Sequence, residues 1–416
     1  MFLISLIGKI VALATRVRGG HGSALPGLIM EKIDPRFLGK ILGNLPFGVV
    51  VISGTNGKTT TTKMVTELLR ANGLKVFTNP SGSNFTRGVA SSALKQMKWG
   101  KLRADIAVLE LDEAHAVHFV NKIAPKYSLL LNVFRDQLDR FGEIDTTAKF
   151  LEKIAEKTTG TVILNREDPL VSKIPARVKK YFGYSRVVAK LFPNDDELYG
   201  ITDKKSNQPA EIILEKFEND VAEFNIGATK LQLGGAHNAL NAVAALALVK
   251  TILDCSNKSG NDEVGIFNPE KMLRALSEIK PAFGRGESFV IDGQPLELNL
   301  VKNPSGFRIV IASQYNKNAA TMIAINDHYS DGRDMSWLWD VDFSAVKSVD
   351  VVSGIRANDM ALRLMCQDIK IGDINTNLRA SLTQFLSQNP DTPKQIFATY
   401  TAMLEIRKIL KKECRK

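Results

Sequence analysis

The feature that most constrains this chain is a short glycine-bearing loop, GTNGKTT at residues 54–60. An apolar, β-branched run, Val49 to Ile52, precedes the loop and predicts a buried strand. Apolar residues with helical spacing follow it between Lys63 and Ala71. Strand, glycine loop and helix in this order form the context in which such a loop binds phosphate groups. We therefore expect an α/β fold with a phosphate site where the first strand ends.

The residue types in this loop suit phosphate groups, since Gly54 and Gly57 have no Cβ and let the backbone direct its amide groups inward. The helix N-terminus adds a positive dipole end, Lys58 a mobile cation and Thr59 a hydroxyl suited to Mg²⁺. The long Walker form has a further glycine where this chain has Ile52. A glycine turn with a surface lysine is the alternative, and the flanking strand and helix argue against it. The predicted phosphate-binding residues are Gly54, Thr55, Asn56, Gly57, Lys58, Thr59 and Thr60.

Composition indicates an ordinary globular chain with a basic bias. Its 416 residues favour two or three domains, and 44% hydrophobic with 24% charged residues is usual for soluble proteins. The formal net charge of +11 suits a nucleotide, a phosphorylated substrate or an acidic membrane surface. The sequence has no basic run interleaved with aromatic residues, which argues against nucleic acid. Cys255, Cys366 and Cys414 lie far apart and form no C-x-x-C pair, which fits a reducing cytoplasm.

The first stretch, Met1 to Val17, is apolar but interrupted by Lys9 and Arg16. It does not fit a signal peptide, because its charge is not at the front and no small-residue cleavage site follows. It is also too short and too interrupted to span a bilayer. Its apolar residues trace one helix face, namely Leu3, Leu6, Ile7, Ile10 and Leu13. We expect that face to pack on the core, with peripheral contact to a membrane as the alternative.

Short apolar segments alternate with helical patterns through a predicted central domain of residues 47–284, onto which a helical segment of residues 1–46 packs. The predicted strands are 49–52, 75–77, 105–111, 127–133 and 161–164, a pattern that fits a parallel sheet covered on both faces. Residues 181–229 are more polar, with turn signals, and predict a small antiparallel β excursion. Ala236 to Leu253 predicts a strong alanine-rich helix.

A second alternation of strands and helices predicts a smaller, Rossmann-like α/β domain over residues 285–416. Its predicted strands are 308–312, 321–325 and 349–352, and its predicted helices are 358–366, 378–386 and 399–410. The fold class expected is thus α/β, with a central parallel-sheet ATPase domain and a smaller C-terminal α/β domain.

Polar clusters stand at the predicted strand ends, where a doubly wound sheet places its ligands. Glu110 can complete Mg²⁺ coordination with Thr59 and phosphate oxygens. The neighbouring Asp112 and Glu113 fit a solvated acidic turn better. Further clusters follow the next strands and open the alanine-rich helix, where amide side chains either read adenine or cap the helix. They are Asn132, Asp136, Gln137 and Asp139, then Asn165 and Asp168, then His237, Asn238 and Asn241.

These motifs, in this order, resemble the Mur ligases, the ATP-dependent amide-forming enzymes of peptidoglycan synthesis. One departure is Gln137, which stands where most Mur ligases carry a metal-binding histidine. Within that family the chain resembles the MurT subunits of lipid II isoglutaminyl synthases. The motifs that carry this closer resemblance are LVKNPSGF at 300–307, DGRDMSWLWDVDF at 331–343 and SGIRANDMALR at 353–363.

The resemblance implies an ATP-dependent carbon–nitrogen ligase that works as a heterodimer with a GatD-type glutaminase. The glutaminase releases ammonia, and the MurT-like subunit uses ATP to activate the α-carboxylate of D-glutamate in the lipid II stem peptide. Ammonia then attacks the acyl phosphate and leaves D-isoglutamine. By the same resemblance, Mg²⁺ is held by Thr59 and Glu110, and the ATP site gains Asn165, Asn238, Arg285 and Lys302.

The resemblance also implies that the chain lends an acidic residue to the cysteine–histidine pair of the glutaminase, where it would orient the imidazole. The candidates here are Asp331 and Asp334, and we favour Asp334. The alternative for each is a turn aspartate that bonds its own backbone. Together with Glu110, these two residues form the predicted catalytic set.

MurT proteins often carry a four-cysteine zinc ribbon, but this chain has no cysteine before Cys255, so we expect no structural zinc.

A stand-alone Mur or folylpolyglutamate-type amino-acid ligase is the main alternative function, and a non-catalytic nucleotide-dependent scaffold is the other. We expect a cytoplasmic protein, located at the inner face of the membrane if it contacts lipid.

Overall fold

The computed structural model describes residues 25–79, 85–134, 144–192, 208–257, 266–280, 285–291 and 293–413. The chain divides into two compact units. The first unit contains residues up to 133 together with 145–231 and 238–279, and the second contains residues from 280 onward with short pieces of 134–144 and 232–237. The boundaries expected at 46/47 and 284/285 stay predictions. The expectations for residues 1–17 and for Asp136, Gln137 and Asp139 lie outside the described residues.

The first unit is built on one large sheet flanked by helices. Its strands are Val49–Ser53 (β1), Val76–Thr78 (β2), Ile106–Glu110 (β3), Tyr127–Leu130 (β4), Thr161–Asn165 (β5), Lys179–Tyr184 (β6), Ile212–Glu218 (β7), Val221–Phe224 (β8) and Gly227–Lys230 (β9). Its helices are Leu25–Ile33 (α1), Phe37–Leu42 (α2), Lys58–Ala71 (α3), Thr86–Gln96 (α4), Glu113–Val120 (α5), Ile144–Lys157 (α6), Ala236–Asn257 (α7) and Pro269–Ser277 (α8).

The strand order of this sheet places the glycine loop of residues 54–60 at a switch point. The order is β2-β3-β1-β4-β5-β6-β7-β8-β9, so β1 pairs in parallel with β3 on one side and β4 on the other. Every residue of β1, β3, β4 and β5 is buried, as expected for strands covered on both faces. In open α/β sheets, ligands bind at the carboxyl ends of the strands where the order reverses, and here that point is the end of β1.

The segment predicted as an antiparallel excursion extends this same sheet. Antiparallel pairing is confirmed for β7, β8 and β9. However, β6 overlaps the start of residues 181–229, and it pairs in parallel with β5 and with β7. The central sheet therefore keeps its parallel character through β7.

The alanine-rich helix predicted at 236–253 is confirmed as α7. Within the described part of the chain, its residues Ala236–Cys255 are long and apolar enough to cross a membrane by length and composition alone. Most of that window is buried inside the structure. The buried alanine and leucine side chains make it a core helix of the first unit.

The second unit has a smaller mixed sheet of order β10-β11-β15-β12-β13-β14. Its strands are Arg285–Ile291 (β10), Gln294–Leu300 (β11), Ala320–Ala324 (β12), Ser348–Ser353 (β13), Lys370–Asn375 (β14) and Lys394–Ala398 (β15). Its helices are Pro304–Gln314 (α9), Ala357–Met365 (α10), Leu378–Ser387 (α11) and Tyr400–Glu413 (α12). All neighbouring pairs are parallel except β10 with β11. The α/β fold class is thereby confirmed.

One predicted strand of this unit is wrong. Residues 308–312 were expected as a strand, but they lie inside α9. The apolar residues there suit either structure, and the start of the helix decides between them. Asn303 caps it, with its Oδ1 accepting a hydrogen bond from Gly306 N at 2.8 Å, and Pro304 occupies the first helical position.

Candidate functional site

The loop after β1 is anchored by Asn132, which follows β4. Thr55 N donates to Asn132 O at 2.9 Å, and Asn56 N donates to Asn132 Oδ1 at 2.8 Å. The Asn132 amide in turn donates to Asn56 O at 3.1 Å. Gly54 has φ +133, and a Cβ placed on it would lie 2.9 Å from Asn132 N. Glycine is therefore required there both by conformation and by space.

The second loop glycine, Gly57, precedes α3 in the left-handed conformation, with φ +85. A Cβ on Gly57 would lie 2.3 Å from Oδ1 of Asn241, which belongs to α7. The close approach fixes the loop against the alanine-rich helix. Asn241 was named from the sequence only as part of a helix start, and the structure shows that it shapes the loop.

Lys58 is buried and bridges the loop to the helix after β3. Its ammonium group donates to the carbonyl oxygen of Gly54, to that of Thr55 at 3.2 Å and to Glu113 Oε1 at 3.2 Å. The Lys58 and Glu113 side chains are only 10% and 5% exposed. The prediction of a solvated turn is therefore wrong for Glu113. It lies at the first position of α5, and a buried carboxylate there balances a buried cation.

Thr59 and Glu110 meet at the ends of α3 and β3. The Thr59 hydroxyl donates to Glu110 Oε1 at 2.8 Å, and Glu110 is buried. Asn79, just past β2, fixes the Glu110 backbone by accepting from its N–H at 3.0 Å and donating to its carbonyl at 2.8 Å. A hydroxyl and a carboxylate side by side are oxygen donors of the kind that Mg²⁺ takes together with phosphate oxygens and water. The residues present thus fit that ion.

Asn165 and Asp168 brace the neighbouring strand ends. The Asn165 amide donates to Leu131 O at 2.9 Å, and its Oδ1 accepts from Glu167 N at 3.0 Å. The Asp168 carboxylate accepts three backbone N–H groups, one of them from Val133 at 2.8 Å. These contacts hold the segment that carries Asn132. An ATP contact of Asn165 stays a prediction, as does one of Asn238, whose Oδ1 accepts from the Asn241 amide at 3.4 Å.

In the second unit, Asp331 forms hydrogen bonds that stabilise the fold of that unit. It is buried and accepts hydrogen bonds from Thr401 N at 2.7 Å, the Thr401 hydroxyl at 2.6 Å and His328 N at 3.1 Å. Burial raises the pKa of the Asp331 carboxyl, and these hydrogen bonds from Thr401 and His328 partly offset the rise. The geometry is that of a carboxylate fixing the first turn of α12.

Asp334, three residues later, is half-buried and presents its carboxylate differently. One oxygen accepts from Ser336 N at 2.9 Å, at the start of a 3₁₀ turn over Ser336–Asp340. That turn is held from behind by Arg363, whose guanidinium donates to the carbonyl oxygens of Leu338 at 3.1 Å and Val341 at 2.6 Å. Asp334 is therefore half-buried, with one carboxylate oxygen on Ser336 N, next to a turn that Arg363 braces.

The remaining predicted ATP residues also lie in the second unit. Lys302 stands half-buried between β11 and α9, next to the helix cap Asn303. Arg285 is the first residue of β10. Their contacts with nucleotide stay predictions.

Similarity to known proteins covers both units. The Mur ligase middle domain family matches residues 52–249, and the MurT ligase C-terminal family matches residues 300–403. The chain is 32% identical to the lipid II isoglutaminyl synthase (glutamine-hydrolyzing) subunit MurT of Streptococcus pneumoniae, over 94% of this chain and 93% of the relative. The chain belongs to the MurT family.

Two further comparisons agree with that membership. The corresponding MurT subunit of Staphylococcus aureus is 29% identical over 88% of this chain and 87% of its own. Among solved structures, the MurF ligase of Thermotoga maritima in complex with ADP superposes with a TM-score of 0.66, covering 94% of this chain and 84% of its own at 18% identity. The expected Mur-ligase-like architecture is thereby confirmed for this MurT-family chain.

Of the residues predicted for the site, this MurT-family chain brings the loop 54–60 and Glu110 together in the first unit. Sequence reasoning undervalued Glu113 and Asn241, and it omitted Asn79. Asn79 had a signal that could have revealed it, because it is an asparagine directly after a parallel strand, much as Asn132, which the sequence did single out, follows β4 by two residues. The polar side chain at that position reaches a neighbouring strand end, which is how both act here. In the described part of the chain, no three metal-ligating side chains cluster.

Proposed function

We propose that this chain is the ATP-using synthetase subunit of a glutamine-dependent lipid II isoglutaminyl synthase. The observation that carries the proposal is the assembly of Lys58, Thr59 and Glu110 at the switch point of a Mur-ligase sheet, in a chain similar over 94% of its length to a named MurT subunit. A fold alone would leave many chemistries open. The site supplies phosphate and cation ligands, and the relatives supply the substrate class.

The first task of the site is to hold the triphosphate of ATP. The loop amides and the N-terminus of α3 provide donors and a positive dipole end, and Lys58 provides a buried cation. On binding, the Lys58 ammonium exchanges its carbonyl contacts for phosphate oxygens while Glu113 keeps it in place. Mg²⁺ held by Thr59 and Glu110 would neutralise charge on the phosphate oxygens.

The reaction then proceeds in two steps. The α-carboxylate of D-glutamate attacks the γ-phosphorus, so that a carboxyl oxygen–phosphorus bond forms, the bond to the β-phosphate oxygen breaks and ADP leaves. Ammonia attacks the acyl carbon, a carbon–nitrogen bond forms, phosphate departs and nitrogen loses a proton. Lys58 stabilises the charge that builds on the transferring group, and phosphoryl transfer needs little more from the protein than such positioning and charge.

A GatD-type glutaminase would supply the ammonia, and Asp334 is our choice for the acid lent to it. Asp331 is buried and accepts hydrogen bonds from Thr401 and His328, whereas Asp334 is half-buried and accepts one from Ser336 N. Two large exposed side chains lie near Asp334 in the sequence, Tyr329 at 74% and Trp339 at 50% exposure. Exposed aromatic residues are typical of binding surfaces, which supports a partner docking on this side of the second unit. We place the complex in the cytoplasm, at the inner membrane face where a lipid-linked substrate is found.

The proposal is tested by co-expressing this chain with a class I glutaminase of GatD type and supplying lipid II, ATP and Mg²⁺. We expect amidation with glutamine only when both subunits are present, and slow amidation by this chain alone when ammonium replaces glutamine. Glutamine-dependent amidation by this chain alone would refute the two-subunit assignment. Ligation of a free amino acid without any use of ammonia would establish the stand-alone ligase instead.

A further inference from the structure

The first unit contains a cavity of about 600 Å³ that is separate from the nucleotide loop. It is walled by α1, the turn after it, α2, the first turns of α4 and the turn that follows α5. None of residues 54–60 lines it. The volume lies in the range of small-molecule sites, so a ligand of moderate size fits.

The floor of this cavity is apolar and its walls are well packed. Phe37, Leu38, Ala90 and Ile123 line it, and all four are buried in the core of the first unit. Helix α1 packs so closely on α4 that a Cβ on Gly27 would lie 2.0 Å from Arg87 O. The cavity is therefore a formed feature, and not a gap left by loose contact between these helices.

A cationic rim surrounds this floor, comprising Arg36, Lys40, Arg87 and Lys122, with Glu31 and Asp34 as the only carboxylates among the lining residues. Glu31 accepts hydrogen bonds from Lys122 and from Arg87 Nε at 3.2 Å, and Asp34 accepts from Lys40 Nζ at 2.7 Å. The hydrogen bond from Lys122, opposed by burial, lowers the pKa of Glu31. Four cations against two carboxylates leave a formal excess of two positive charges.

Lys40, Arg87 and Lys122 each form an ion pair with a rim carboxylate, whereas Arg36 does not. The Arg36 side chain is exposed, and within the described residues its guanidinium forms no hydrogen bond and no ion pair within 4 Å, while its charge acts on Asp34 at longer range. A guanidinium has five donors in a fork that matches phosphate oxygens. The rim therefore offers an anion a ready partner, while Glu31 and Asp34 are already neutralised by neighbouring cations.

We infer that this cavity binds the diphosphate end of a polyprenyl-linked substrate, with the rim on the diphosphate and the floor on the first isoprene units. The inference rests on the proposed function, because that function requires a lipid-linked anionic substrate. The nucleotide site assigned above does not account for the binding of the lipid-linked end. A water-soluble anion would not need the apolar floor, and a neutral lipid would not need the rim. The combination fits a molecule that carries both parts.

The test is a titration of the full chain with farnesyl diphosphate, a soluble short polyprenyl diphosphate, by isothermal calorimetry. Saturating ADP and Mg²⁺ are present, so that the nucleotide loop does not take up the diphosphate. Two variants address the two halves of the cavity. Arg36→Glu reverses a rim charge, and Gly39→Leu places a side chain where a Cβ on Gly39 meets nothing within 4 Å. Lys32→Glu is the matched control, because Lys32 is exposed on α1 and does not line the cavity.

We expect saturable binding by the natural chain, at least about tenfold weaker binding by Arg36→Glu and by Gly39→Leu, and unchanged binding by Lys32→Glu. Gly39→Leu should fold normally, since leucine replaces glycine inside a helix. Equal weakening by Lys32→Glu would mean a diffuse surface charge and overturn the inference. The inference would also be overturned if inorganic diphosphate bound as tightly as farnesyl diphosphate. It would be overturned as well if the chain bound phosphatidylglycerol vesicles and farnesyl diphosphate did not compete with them.

The outcome is separable from that of the proposed function. Amidation of lipid II by a chain that does not bind farnesyl diphosphate would sink the cavity assignment and leave the reaction intact. If the chain binds farnesyl diphosphate at the cavity but does not amidate lipid II, the proposed reaction is wrong and the cavity is still a polyprenyl diphosphate site.

Discussion

Two turns of this molecule, one in each unit, share a framework and differ in chemistry. In each, a strand ends at a buried serine that is followed by a glycine and then by a helix: Ser53-Gly54 for β1, and Ser353-Gly354 for β13. Both serine hydroxyls donate to a carbonyl at the end of a neighbouring strand, Ser53 to Leu111, just past β3, at 3.0 Å, and Ser353 to Asn375, the last residue of β14, at 2.8 Å. Both glycines have positive φ, +133 and +92.

An asparagine beyond an adjacent strand holds each turn in the same way. Asn132 Oδ1 accepts from Asn56 N at 2.8 Å, and Asn326 Oδ1 accepts from Ile355 N at 3.0 Å. The turns diverge after that point. The first continues with a second left-handed glycine and Lys58, whereas the second continues with Arg356, which pairs with Asp359 on its own helix. A strand–glycine–helix turn is therefore a scaffold, and the residues that follow its first glycine decide whether it is suited to phosphate.

The largest expected difference between the two turns is the difference in activity between the variants Lys58→Ala and Arg356→Ala. Lys58→Ala removes the buried cation that faces the transferring phosphoryl group, so we expect amidation and ATP turnover to fall by about 10³. Arg356→Ala should leave nucleotide binding unchanged, because Arg356 pairs with carboxylates in its own unit. ADP binding and ATP hydrolysis are measured on both variants, with circular dichroism as the check on folding. Retained amidation of lipid II by Lys58→Ala would show that the loop after β1 is not the ATP site.

The second test asks which carboxylate of the second unit serves the partner. Asp334→Asn should reduce glutamine-dependent amidation about a hundredfold, because an amide cannot stabilise an imidazolium as a carboxylate does. Amidation with ammonium should stay at the natural rate, since it bypasses the glutaminase. Asp331→Asn is the matched variant, and it should lower stability while affecting both nitrogen sources alike. If Asp331→Asn alone separates glutamine from ammonium, the choice of Asp334 is wrong.

The third test concerns the second glycine, which only the first turn has. Gly57→Ala must accommodate φ +85 and a Cβ 2.3 Å from Asn241 Oδ1, so we expect a loss of about 2–3 kcal/mol in the free energy of unfolding and weaker ADP binding. Gly73→Ala has φ +93 but meets nothing within 4 Å, so it should lose only about 1 kcal/mol and keep its ADP affinity. Urea unfolding and ADP titration of the two variants separate backbone strain from the contact with Asn241. Equal effects in both would mean that the contact is unimportant.

Much of the first unit could be predicted from sequence because local and long-range signals agree there. The runs at 49–52, 105–111 and 161–164 are apolar because the strands are buried on both faces, and they became β1, β3 and β5. In the loop between β1 and α3, the residues suited to phosphate and Mg²⁺ are consecutive in the sequence. No tertiary information was needed to locate it.

The second unit was harder because its signals conflict. Residues 308–312 suit a strand by composition, and only the Asn303–Pro304 cap reveals the helix. Strand β14 alternates between exposed and half-buried residues at the sheet edge, so it lacks an apolar run and was missed. Within the site, the pairing of Lys58 with Glu113 and the approach of Asn241 to Gly57 join residues distant in sequence. Only the folded chain brings such pairs together.

The smallest expected effect is a pH dependence at Asp331, which tests whether that carboxylate is structural. Burial raises its folded pKa above the ordinary value of 3.8, so between the unfolded and folded pKa values the folded state binds more protons. The stability contributed by Asp331 is therefore greatest below about pH 4 and declines as pH rises through the folded pKa. Asp331→Asn does not titrate there and loses acceptors for Thr401, so it should be less stable by about 1–3 kcal/mol at low pH and by less at neutral pH. Urea unfolding of both proteins across this range gives the difference, and a deficit that instead grows with pH would mean that Asp331 is stabilised as an anion.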